Sequence, residues 1–187
     1  ISSLGEVESC KIDNNFEESS NTKPSTVKPS LDKSVSEIDH FINDANKIYF
    51  GTLSIDERKY VAASILHSAF VDEINNNPNF KSKLNQTLTE KFDVDSHYTD
   101  KLLNQEKDSS VLETLKEKFL EGDLIQMYTY IWEKVLSKGE EDDFEIDLIE
   151  TSGEKFGLEK PNINDTKKTG NERAKITKAM HSIEAGK

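Results

Sequence analysis

"DLIQMYTYIWEKVLSK", residues Asp123 to Lys138, is apolar around most of its girth. Leu124, Met127, Tyr128, Ile131 and Val135 recur at the intervals of one helical stripe, and Ile125, Trp132 and Leu136 lie on an adjoining face. A helix with one apolar stripe needs one neighbour, whereas one apolar on most sides must be surrounded. This segment is therefore expected to be the centre of an all-α bundle, with Trp132 buried. The competing reading is an exposed aromatic face in which Tyr128, Tyr130 and Trp132 bind a partner.

Working outward, the flanking segments carry helix start signals. Ser34 with Glu37, Ser54 with Glu57 and Ser110 with Glu113 match the S-x-x-E box, in which two side chains satisfy N–H groups left unpaired at a helix start. Apolar stripes follow each: Ile38, Phe41, Ile42, Ala45 and Ile48; then Val61, Ile65, Leu66, Ala69, Phe70 and Ile74; then Val111, Leu112, Leu115 and Phe119. Asn77-Pro78 reads as a cap followed by proline at the first helical position, ahead of Phe80, Leu84, Leu88 and Phe92. A shorter helix holding Tyr98, Leu102 and Leu103 is expected to begin after Asp95 or Ser96.

The expected fold is all-α: a single helical bundle of five to seven helices behind a disordered N-terminal leader. Residues 1–33 form the leader, since the Ser-, Asn- and Lys-rich stretch around Pro24 and Pro29 offers few apolar residues. Residues 34–138 form the bundle core. Residues 139–170 read as an acidic segment and a Gly-, Lys- and Asn-rich loop, and 171–187 as a basic amphipathic terminal helix carrying Ile176, Ala179, Met180 and Ile183 on one side. From Lys155 to Lys187 eight Lys/Arg face four Asp/Glu, which leaves sixteen basic against thirty-two acidic residues elsewhere. The terminal helix is therefore expected to dock on its own acidic bundle.

The net charge of −12 argues against wrapping nucleic acid or lying on an anionic bilayer, both of which reward clustered cations. Only Arg58 and Arg173 are arginines, so bidentate forks for phosphate or carboxylate are scarce. No apolar run approaches the ~18 residues of a transmembrane helix.

The densest candidate site is "GEEDDFEIDLIE", Gly139 to Glu150, with seven acidic residues in twelve positions. Phe144, Ile146 and Leu148 alternate as in a strand, while Phe144 and Leu148 also fit a helical turn. Read as a calcium loop from Asp143 to Glu154, it has Leu148 where the sharp turn requires glycine, so no metal is expected. The expectation is a solvated segment pinned by its apolar residues, its carboxylates near the lysines of the terminal helix.

Other chemistry is sparse. His40, His67, His97 and His181 are too scattered to form a zinc motif, and His40 and His67 are expected at the surface or boundary. Neither a nucleophile elbow nor a phosphate-binding glycine loop occurs, so neither catalytic residues nor cofactors are expected. Asn85 and Asn164 open N-x-[ST] sequons and are candidate glycosylation sites. Cys10, the sole cysteine, is a candidate for an intermolecular disulfide linking a dimer.

The chain begins at Ile1, as a processed product would. Together these features lead to the expectation of a non-enzymatic protein, secreted or displayed at a cell surface, that binds a macromolecular and possibly host partner. The alternatives are an intracellular, cytoplasmic helical adaptor or regulator and, behind it, an enzyme or small-ligand carrier with a cavity between helices.

Overall fold

The computed structural model describes residues 31–185, so the expected leader lies almost wholly outside the described residues. Those residues are all-α, with no strand among them. The helices are α1 (Leu31–Asp44), α2 (Ile55–Ala69), α3 (Val71–Asn76), α4 (Pro78–Glu90), α5 (Ser96–Leu103), α6 (Ser110–Lys116), α7 (Glu121–Ser137), α8 (Asp143–Lys155) and α9 (Lys160–Ala185), with a 3₁₀ turn at Phe50–Thr52. Residues from Val35 onward group as one unit.

Several start signals work as their chemistry requires. Ser54 Oγ accepts from the Glu57 N–H at 3.1 Å while the Ser54 N–H donates to the Glu57 carboxylate at 2.8 Å. Asn77 Oδ1 accepts from the Phe80 N–H at 3.1 Å ahead of Pro78, and Asp95 caps α5. α1 begins at Leu31, ahead of Ser34, and the Ser110 hydroxyl donates to Asp108 rather than capping α6.

The core centres on α7. Met127, Ile131, Trp132 and Val135 are fully buried there, and Tyr128 and Leu124 nearly so. α2 lies against α6 and α8 and contributes Val61, Ile65 and Leu66 with no exposed surface. Where α2 ends, Lys155 of α8 donates to the Ala69 carbonyl at 2.7 Å and sits 4.5 Å from the centre of the Phe70 ring. A cation thereby fills the role of a cap at a helix C-terminus.

The C-terminal third departs from the expected order. Residues 139–150 are neither strand nor solvated coil but the approach to α8 and most of that helix, and the loop expected over 151–170 is mainly helix. Gly139 and Gly157, at φ 135° and 97°, make the turns before and after α8, a backbone geometry other residues rarely adopt. α9 then starts at Lys160 rather than Asn171, with Pro161 in its first turn, where a missing N–H leaves no helical bond unmade.

α9 packs above all on α7, and also on α8. Asn164 shares a surface groove with Leu136, while Gly170 lies over Thr129 and Glu133, so the two helices run antiparallel. A Cβ at Gly170 would meet the Trp132 Cβ at 2.6 Å, the Thr129 carbonyl oxygen at 2.9 Å and the Glu133 nitrogen at 3.0 Å. Two of these are backbone atoms that cannot turn aside. Gly170 is thus a contact glycine in mid-helix rather than a loop residue. Although alanine is the better helix former by about 1 kcal/mol, Gly170→Ala is expected to lower stability by about 1–3 kcal/mol through overpacking. Urea denaturation followed by circular dichroism reads this; a more stable variant would mean that α9 does not seat on α7 as described.

Candidate functional site

The three aromatic candidates on α7 are interior. Tyr128 is 1% exposed, Tyr130 8% and Trp132 0%, so they present no face to a partner. The Tyr128 hydroxyl shares a 2.8 Å hydrogen bond with Ser152 of α8, and burial raises its pKa. Burial likewise raises Tyr130, against the opposing pull of Arg58. The Trp132 ring lies under α9, with the Lys167 ammonium 4.9 Å from its centre. Among the described residues neither Trp132 Nε1 nor the Tyr130 hydroxyl has a hydrogen-bond partner.

The acidic run is organised by its helix. Asp142 and Glu145 form a capping box on α8, with the Glu145 N–H donating to Asp142 at 2.8 Å and the Asp142 N–H to Glu145 at 3.0 Å. Carboxylates are favoured at a helix N-terminus by the peptide dipoles, so clustering here requires no ligand. Glu145 is buried, and its partner is Lys91 beyond the end of α4, at 3.8 Å. Burial raises the Glu145 pKa, opposed by the Asp142 N–H and by Lys91. Phe144 packs edge-on to Phe80 of α4. Glu141 lines a groove with Lys167 and Lys168 of α9, while Glu145 makes its ion pair with Lys91 beyond α4. No group of three or more His, Cys, Asp or Glu arranged to hold a metal occurs among the described residues.

Of the sequons, Asn85 lies within α4 and donates to Asp100 at 3.0 Å, with Thr87 buried. Asn164 is exposed on α9. Cys10 is outside the described residues.

Two features were not legible beforehand. The first is a cavity of about 110 Å³ whose lining includes Ile42, Ser64, His67, Ser68, Lys107 and Thr114. His67 is 3% exposed, contrary to the expected surface position. Its apolar neighbours Ile65 and Leu66 are the signal that could have placed it inward.

The second is the outer surface of α9. Ile163, Gly170 and Ala174 face inward, but Ile176, Met180 and Ile183 are 61%, 57% and 65% exposed, and Ala179 is exposed with them. At about 100° per residue, this second stripe points roughly 140–240° away from Ala174, onto the opposite side of the helix. Among the described residues of the expected terminal helix, 171–187, Ala174 alone is buried; Ile163 and Gly170, which seat α9, precede that segment, and the side expected to dock faces outward. No rotation of α9 could bury both stripes on one bundle. No transmembrane-length apolar helix occurs among the described residues.

His67 generates a pH prediction. Burial, and secondarily Lys107, push its pKa from the ordinary 6.5 down to about 4. Between these values the unfolded chain binds the proton more readily, so stability rises with pH. The contribution is complete above pH 6.5 and is lost as pH falls toward 4, by about 3 kcal/mol over that window. Urea midpoints measured across it should shift accordingly, and His67→Gln should remove this part of the slope; an unchanged slope would place His67 in water. No family model matches the chain, and neither a curated protein nor a solved structure matches it.

Proposed function

We propose that this chain is a non-enzymatic helical protein, secreted or displayed at a cell surface, that works by binding a macromolecular partner. The observation that carries this reading is the apolar stripe Ile176, Ala179, Met180 and Ile183, turned away from the bundle by α9. Single exposed apolar residues are ordinary on protein surfaces, but a helical row of them is a recognition element, read through i, i+3, i+4 and i+7 anchors. The first half of α9 is fixed against α7, so the stripe is offered on a helix already formed, and little ordering is lost on contact.

The test compares the 187-residue chain with its Ile176→Glu/Ile183→Glu variant as immobilised baits in extracellular fluid or surface extract. Both should melt alike, because both side chains are largely exposed. Proteins retained by the parent chain and lost from the variant would support the reading. Identical retention on both baits would remove α9 as the binding element.

A further inference from the structure

We propose that the stripe on the outer face of α9 pairs antiparallel with the same stripe of a second copy of this chain. This rests on the reading of α9 as a binding helix and names its partner.

Register favours this pairing. Ile176, Ala179, Met180 and Ile183 are arranged symmetrically about the midpoint between Ala179 and Met180. In an antiparallel overlay about that point Ile176 meets Ile183 of the other copy, and Ala179 meets Met180. Isoleucines close both ends, and in the middle a short side chain opposes a long one, as interdigitating helices require. A parallel overlay would set Met180 on Met180 and leave a gap between the two Ala179 residues.

Charge favours it as well. Arg173 and Glu184 are both exposed and lie on the same flank of the stripe, roughly 70–90° from its centre at 3.6 residues per turn. Equivalent flanks face each other across an antiparallel pair. The register fixed by the apolar residues brings Arg173 of one copy to within about two residues' rise, ~3 Å along the axis, of Glu184 of the other. Symmetry forms this pair twice. On the opposite flank Lys175 comes near Ser182 rather than another lysine. A parallel pair would instead set opposite flanks together, bringing Arg173 toward Lys175 of the other copy and leaving Glu184 beside Ser182.

Salt separates a second copy from other partners. The chain carries a net charge of −12, so two copies repel each other at low ionic strength. Apolar contact persists while added salt screens that repulsion, so the pair should strengthen as salt rises. An anionic membrane or an acidic partner held by Arg173, Lys175 and Lys178 would show the opposite trend. The stripe spans only about 10 Å of helix, so its area lies at the small end of specific interfaces and the dimer should be a weak one.

Sedimentation of the 187-residue chain over a roughly hundredfold concentration series should show the mean mass climbing from monomer toward dimer by mass action, more steeply at high salt. Ile183→Glu should abolish the climb without altering the melt. Arg173→Glu should weaken association about two- to fivefold, and Arg173→Glu combined with Glu184→Arg should restore it. A chain that stays monomeric at every concentration and salt would overturn the proposal, as would association that weakens with salt or that the double charge exchange fails to restore. Stripe-dependent capture by a monomeric chain would overturn only the identity of the partner. A dimer indifferent to Ile183→Glu would overturn the second-copy pairing and remove its support for α9 as the binding element.

Discussion

The rest of the structure depends on how closely α9 approaches α7. At Gly170 the two backbones come together with no room for even a methyl group, and Trp132 is sealed beneath. This contact converts α7 from a helix with an uncovered aromatic side into a buried centre. It also fixes the rotation of α9 about its own axis. Once Ile163, Gly170 and Ala174 face inward, geometry turns Ile176, Met180 and Ile183 outward.

How far the fold was legible followed from how many meanings each residue type carries. The apolar girth of α7 has two, a surrounded helix and an exposed aromatic face, and the structure takes the first, with Tyr128, Tyr130 and Trp132 buried. The Ser54–Glu57 box and the Asn77-Pro78 cap were readable because cap and stripe reinforced each other. Ser110 was misread because Asp108, two residues earlier, captures its hydroxyl. Such local competition among short polar side chains does not show in an S-x-x-E pattern. Glycine and proline misled most. Gly153 and Gly170 read as loop punctuation, yet both sit within helices against a neighbour, tightly packed on the Ile163 side chain at 3.3 Å for Gly153 and with no room for a Cβ at Gly170. Whether a glycine marks a turn or a close approach depends on a partner distant in sequence.

The acidic segment shows the same ambiguity for charge. Seven carboxylates suggest a cation, but a helix N-terminus attracts acidic residues without one, and Asp142 with Glu145 performs the capping that Ser54 with Glu57 performs on α2. Glu145 then serves tertiary structure as well, buried beside Lys91. The α9 stripe was visible as an amphipathic pattern, but its direction was not. Averaged over the whole helix the inner and outer stripes cancel, and only the seating at Gly170 separates them.

That separation has an evolutionary consequence. Up to Ala174, α9 answers to the core, and most substitutions there carry a folding penalty. Past Ala174 the same helix answers to whatever it meets, and its exposed positions can change with almost no effect on stability. Sequence can therefore drift at constant fold, because the exposed residues and those that hold the protein together occupy different lengths of one continuous helix.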